Sequence, residues 1–286
     1  MDAVRLLTIL FDIVSFTSIL VLLVLGMGVI VGMMGVFNFA HGELVLLGAL
    51  APFVVVQAGG SVWLGIAVAP LVVGVFGLLL ERAVIRHLYG LPLTALLVTW
   101  GLGLSIREVV RLVLGQSTRS VPYPLPDSLT LGALVLPEWR LFVVVVTWLV
   151  VAASYLVLSR SALGLTIRAT LENPALARAS GIQPTRLYAL TFAFGSALAG
   201  LAGALIVPLT SLYPELGLTY LIRSFLGLMV GGIGSFDGPV LGAAAMGIAS
   251  SSLPWFIPPV EADLLVFALA IVILRARPQG LRGVGR

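Results

Sequence analysis

An all-α polytopic membrane protein is the fold class that this sequence predicts, and three observations carry that expectation. Of its 286 residues 60% are hydrophobic and only 10% charged, with a mean hydropathy of +1.16; an ordinary soluble domain carries roughly 25% charged residues. The apolar residues run in stretches on the scale of a bilayer-crossing helix, which takes ~20 residues. The charged residues gather between those stretches. A soluble fold is excluded on the same grounds, because too little polar sequence is present to cover a core of that size.

The stretches fall at residues 13–36, 44–58, 62–80, 91–106, 141–158, 188–212, 220–234, 238–256 and 260–274. The first follows Arg5 and lacks a small-residue cleavage pattern, so it reads as a retained span. Some of the others are full spans and some are short. Between 220 and 256, Gly231-Gly232, Gly234, Gly238-Pro239 and Gly242 cut the apolar sequence into half-length pieces. Broken or re-entrant helices fit there, provided protein covers the irregular backbone or it lines a cavity. The count is about eight spans, or nine if every short piece crosses, all within a single transmembrane domain over residues 1–286.

The 16 basic residues are all arginine, and most of them flank apolar runs. Arg82 and Arg86, then Arg160, Arg168, Arg178 and Arg186, then Arg275, Arg277, Arg282 and Arg286 mark three places on one side. Positive residues beside spans favour the cytoplasmic side, so the C-terminus is expected inside and nucleic-acid binding is disfavoured. The segment at about 116–140, with Pro122, Pro124, Pro126, Pro137 and Trp139, then becomes an extracytoplasmic interfacial loop. Arg107 and Glu108 read as a pair, or as snorkelling side chains near a span end.

The most informative polar segment is the cytoplasmic loop at about 159–187. Asn173 suits a helix cap, Pro174 the first helical position and Gly181 the left-handed residue beyond the end, so a short helix of about two turns is punctuated at both ends. A second helix start follows at Gln183-Pro184. A capped helix exposed between spans is an element offered to a cytoplasmic partner.

Asn38-Phe39-Ala40-His41-Gly42-Glu43 places three polar side chains in six positions between the first two runs. Polar groups at membrane depth are costly unless wet or hydrogen-bonded, which makes them candidates for function. An interfacial loop in which Asn38 and His41 cap helix ends fits the same residues. Small residues at helix-packing spacing, Gly28 with Gly32, Ala199 with Gly203, Gly227 with Gly231 and Gly238 with Gly242, allow close helix approach.

Enzyme readings find no support. The chain has no cysteine and only two histidines, His41 and His87, so no nucleophile-base pair or metal cluster suggests itself. Without lysine there is no Gly-Lys-Ser/Thr phosphate loop, so the chain binds no cofactor of its own by this reading and cannot hydrolyse ATP by that route. Ionisable residues within the runs are sparse, which argues against a proton- or sodium-driven carrier; a passive channel stays open.

The loop at 164–182, continuing through Thr191-Phe192-Ala193-Phe194-Gly195-Ser196-Ala197-Leu198-Ala199-Gly200-Leu201-Ala202-Gly203, resembles the permease subunits of ABC importers for branched-chain amino acids. Asn38 to Glu43, with Gly35 before and Leu47-Gly48-Ala49 after, looks like that family's first motif. Gly231-Gly232-Ile233-Gly234-Ser235-Phe236-Asp237-Gly238-Pro239-Val240-Leu241-Gly242-Ala243 looks like its late glycine-rich motif. The resemblance runs in order from about residue 13 to 275. It implies a multi-pass subunit of a prokaryotic plasma membrane that pairs with a second related permease or with itself. Substrate would come from an extracytoplasmic binding protein, and two cytoplasmic ATPase subunits would use ATP and Mg.

On this resemblance the helix near 173–180 is a coupling helix, with Arg168, Glu172, Asn173, Pro174, Ala177, Arg178 and Gly181 expected at the ATPase contact. Asn38, His41 and Glu43, with Gly231, Gly232, Gly234 and Gly238, are candidates for the translocation path or its gate. A urea and short-amide branch of the same family is also resembled, at Leu88-Tyr89-Gly90-Leu91-Pro92-Leu93 and Thr99-Trp100-Gly101. Arg223, before Ser224-Phe225, is nearer to the amino-acid branch.

Overall fold

The computed structural model describes residues 3–35 and 37–282; Val36, at the end of the first apolar run, and Arg286 lie outside it. Each of the nine apolar stretches becomes one helix: α1 (Ala3–Met34), α2 (His41–Gln57), α3 (Val62–Ala83), α4 (Pro92–Leu114), α5 (Glu138–Tyr155), α8 (Pro184–Thr210), α9 (Leu216–Gly231), α10 (Asp237–Ser252) and α11 (Pro259–Ala276). Two further helices, α6 (Ala162–Glu172) and α7 (Pro174–Ala179), lie between α5 and α8. Among the described residues, five helices are long and apolar enough to cross a membrane: α1, α3, α4, α8, and α5 together with the π-turn Leu156–Arg160 that extends it. Helices α2, α9 and α10 are shorter, at 17, 16 and 16 residues.

Two helices form the axis of the bundle. Helices α1 and α8 are buried along most of their length and pack on each other, whereas α3, α4 and α5 turn most of their apolar surface outward. Small residues set the spacing. A Cβ on Gly203 of α8 would stand 2.0 Å from the Val45 carbonyl oxygen of α2, and one on Gly48 of α2 would stand 2.1 Å from the Gly200 oxygen of α8. Within the α9–α10 pair, Gly231 meets the Gly238 oxygen and Gly242 the Gly227 oxygen, each at 2.0 Å. Backbones this close leave no room for any side chain, so the small-residue spacing reports specific contacts. Gly32 is the exception, with nothing within 4 Å of its Cβ position.

The glycine-rich segment breaks the chain between α9 and α10, where Gly232 and Gly234 take φ of 93° and 104°. Only glycine adopts such angles without strain. The α9 carbonyls freed by the break are met by the C-terminal tail: Leu281 N donates to Val230 O at 2.8 Å and Arg282 N to Gly231 O at 3.0 Å. Ser235 Oγ accepts from Gly238 N at 3.1 Å and donates to Arg282 O at 3.3 Å. Irregular backbone in an apolar environment persists only where its polar groups are met in this way.

Contacts place the arginine groups together at one end of the bundle. Arg82 and Arg86 share a cavity wall with Arg186, while Phe236 and Arg282 share another with Tyr155, next to the π-turn that carries Arg160. The short connection from α3 to α4 is held at the same end by Tyr89, whose hydroxyl donates to the buried Glu81 carboxylate. Burial first, and that carboxylate second, push the Tyr89 hydroxyl above its ordinary pKa. The other end carries the Asp12–Arg140 pair, the Trp63–Trp139–Phe142 aromatic cluster and an antiparallel bridge between Arg119 and Leu212.

Three sequence expectations need correction. The segment at 116–140 is not all loop: it contains a hairpin, β1 (Ser128–Leu131) paired with β2 (Leu134–Pro137), and α5 begins at Glu138. Trp139 is not interfacial but fully buried, stacked on Phe142 at 5.2 Å. The polar loop at 159–187 is itself mostly helical, because α6 precedes the short helix read from the caps.

Candidate functional site

The short helix is built as its residues dictate. Asn173 Oδ1 accepts from Ala175 N at 3.1 Å and Leu176 N at 2.9 Å, Pro174 opens α7, and Gly181 takes φ of 82° beyond its end. Ile182 N returns to the Ala177 oxygen at 3.0 Å and so closes the C-terminal turn. Ala177 is buried against the protein, while Glu172, Leu176 and Arg178 face outward, Leu176 at 63% exposure. An exposed apolar residue beside a base on a fixed short helix, with an acid at the end of the preceding helix, is a surface suited to a partner rather than to lipid.

The loop is anchored, not free. Ile167 and Leu187 form an apolar cluster with Met33 at the end of α1, backed by Leu158 and Leu171. Arg168 is exposed, and its guanidinium donates to the Leu158 oxygen and, at 3.4 Å, to the Ser159 oxygen, tying α6 to the π-turn. Helix α6 is thus in contact with the end of α1, the π-turn after α5 and the start of α8.

A cavity of about 190 Å³ lies beside this anchor, lined by Gly28, Gly32 and Met33 of α1, Ile167 and Arg168 of α6, and Gly234 and Pro239 at the glycine break. The structure thus brings α6, within the 159–187 loop, and the α9–α10 break to a common wall. Gly231, Gly232 and Gly238 complete the break, with Gly231 and Gly238 in backbone contact.

Asn38, His41 and Glu43 lie away from that cavity, inside the bundle, at 4%, 0% and 1% exposure. The interfacial-loop reading does not hold for residues so deeply placed. Asn38 does serve the turn, its Oδ1 accepting from Ala40 N at 3.0 Å, and His41 Nε2 donates to the Leu23 oxygen at 3.3 Å. Asn38 Nδ2, His41 Nδ1 and Glu43 Oε2 have no partner among the described residues. Glu43 is paired with Arg107 of α4. The expected Arg107–Glu108 pairing is wrong: Glu108 bonds Arg111, which also bonds Glu215. No local spacing signals a pair 64 residues apart, although an arginine inside an apolar run is itself a sign that a buried acid must exist. The rings of Phe37, Phe39, Trp100 and Phe225 pack on one another where α4 and α9 meet the turn before α2.

A multi-helix membrane protein with polar groups held inside, a glycine break near one end and a short capped helix at that same end fits the class of membrane permeases. The family model described as branched-chain amino acid transport system / permease component matches residues 9–274, and the chain belongs to that family. It is 29% identical to the high-affinity branched-chain amino acid transport system permease protein BraD of Pseudomonas aeruginosa, over 92% of this chain and 91% of that protein. It is 27% identical to the permease protein LivH of Escherichia coli over 96% of this chain and 94% of that protein. The permease protein LivM of the same organism is also 27% identical, over 94% of this chain and 69% of that protein. No solved structure matches the chain.

Proposed function

We propose that this chain is the membrane-spanning permease of an ATP-driven importer for branched-chain and other hydrophobic amino acids. Alternating access is powered by two separate cytoplasmic ATPase subunits that bind ATP and Mg, and substrate arrives from an extracytoplasmic binding protein. The observation that carries this reading is the family match over residues 9–274, together with an anchored, doubly punctuated helix at the arginine-rich end. Support for the substrate comes from the transport named for the relatives. That the chain resembles both LivH and LivM supports a related second permease as its partner, a homodimer being the simpler variant.

In this reading α1, α2, α3, α4, α5, α8, α9, α10 and α11 alternate across a prokaryotic plasma membrane. The arginine-rich end and the C-terminus lie in the cytoplasm, and the β1–β2 hairpin lies outside. Helix α7 is the coupling helix, with Leu176 and Arg178 at its contact face. Reconstitution tests the proposal. Leucine uptake into proteoliposomes should require this chain, its partner permease, both ATPases, the binding protein and ATP. Leucine flux through the chain alone would overturn it in favour of a channel or carrier, and urea as the only transported solute would move it to the short-amide branch.

A further inference from the structure

We propose that the Glu43–Arg107 pair is a binding site, inside the bundle, for the zwitterionic head group of an α-amino acid, with Phe39, Trp100 and Phe225 receiving its apolar side chain. The inference rests on the amino-acid reading above and adds the residues that would recognise the substrate. Glu43 and Arg107 are 1% and 8% exposed. Taking two charges out of water costs more than their attraction returns unless their remaining polar atoms are also met. Here they are not met. Arg107 Nε, at 3.1 Å, and Nη2 both donate to the same oxygen, Glu43 Oε1. Glu43 Oε2 is buried with no partner, and Arg107 Nη1, on a side chain that keeps 10% exposure, makes no hydrogen bond among the described residues.

A pair that serves only to clamp two helices gains most from bidentate geometry, with one oxygen for each nitrogen. This pair instead leaves one anionic acceptor and one cationic donor uncommitted, the complement of an ammonium and a carboxylate on one carbon. Gly103 brings α4 close to the acid: a Cβ there would stand in ordinary contact, 3.6 Å, with Glu43 Cγ, Ala40 Cα and the Phe39 oxygen. Phe39 N accepts its position from α4 by donating to Thr99 Oγ1 at 3.1 Å, and the Phe39 ring lies 6.0 Å from both Trp100 and Phe225. Trp100 is 42% exposed, so the ring cluster opens to the face of α4. One turn further along α4, Arg111 bridges Glu108 at 2.7 Å and Glu215 at 2.6 Å, so alternating charges continue toward the hairpin end.

Uptake is read with the complete transport complex, and binding with the detergent-solubilised permease–ATPase complex without the binding protein, so that the heat reports the membrane site. Calorimetry there compares L-leucine with isoamylamine, which lacks the carboxylate, isocaproate, which lacks the ammonium, and urea. Leucine should bind at least about tenfold more tightly than either analogue, the scale of one charged hydrogen bond. Glu43→Gln should reduce leucine to the level of isocaproate, and Arg107→Gln to that of isoamylamine. Leucine uptake in proteoliposomes should fall about tenfold or more in both single variants and in the Glu43→Gln/Arg107→Gln double variant, with complex yield measured in parallel. Equal binding of leucine and its analogues by the unsubstituted complex would overturn the proposal whatever the variants do. Normal leucine uptake by the double variant, which removes both charges and strands neither, would assign the pair a packing role and leave the amino-acid importer intact. Binding of urea in place of leucine would remove both readings together.

Discussion

At the scale of single residues, the glycines separate into those that define contacts and those that do not. Gly203 sits where a methyl group would fall 2.0 Å from the Val45 oxygen, whereas Gly32 lines the cavity with nothing within 4 Å. Gly203→Ala forces α2 and α8 apart, and a cost of about 1–3 kcal/mol is expected from overpacking. Gly32→Ala should be close to neutral. Thermal unfolding of the two variants in detergent checks the contrast, and equal melting temperatures would contradict this packing. Gly181 is a different case, since its surroundings are open but its φ is 82°. Gly181→Asn should be tolerated, while Gly181→Val pays for a left-handed backbone with about 1–2 kcal/mol.

At the scale of elements, the coupling loop carries the sharpest expectations. Asn173→Ala removes the acceptor for two α7 amides and should loosen the helix by about 1 kcal/mol, with Asn173→Asp retaining the cap. Arg178→Glu keeps the helix and reverses its outward charge. Both Arg178→Glu and Gly181→Pro should leave the chain in the membrane and reduce substrate-stimulated ATP hydrolysis and uptake, read in reconstituted vesicles; unchanged values would remove α7 from the coupling role. The start and end of α7 are legible in the sequence because Asn173, Pro174 and Gly181 act through the local backbone. Helix α6 is not legible as an element, because Ser161 caps it from within a polar stretch and its apolar face is short. The β1–β2 hairpin is missed for the related reason that Pro122, Pro124 and Pro126 precede it and mark the whole segment as loop.

At the scale of the whole molecule, all nine apolar stretches are legible as helices because hydropathy needs no tertiary partner to be read. What cannot be read along the chain is which helices are buried. Helices α1 and α8 are central while α3 and α5, equally apolar, face outward, and that difference is set by the cross-bundle glycine contacts. The same limit hides the polar interior, since Glu43 of α2 is visible as an acid but its partner lies two helices on, in α4. The broad apolar outer faces of α4 and α11, with Leu112 at 85% and Val260 at 74% exposure, leave lipid or a second permease to cover them. A purified complex in which two permease chains stay associated in mild detergent is the expected outcome, measured by mass photometry.

The separation of 64 residues between Glu43 and Arg107 also has a consequence for biogenesis. A chain inserted from its N-terminus presents α2 to the membrane well before α4 has been synthesised. An acid in the first turn of a 17-residue helix opposes release into lipid for as long as no base is available to meet it. Helix α2 is thus expected to wait at the insertion machinery, or at the aqueous boundary, until α4 arrives, so that the two enter as a unit. Ribosome-bound chains ending before residue 107 should therefore leave a cysteine introduced beside Glu43 open to a water-soluble thiol reagent, and chains extending beyond α4 should shield it.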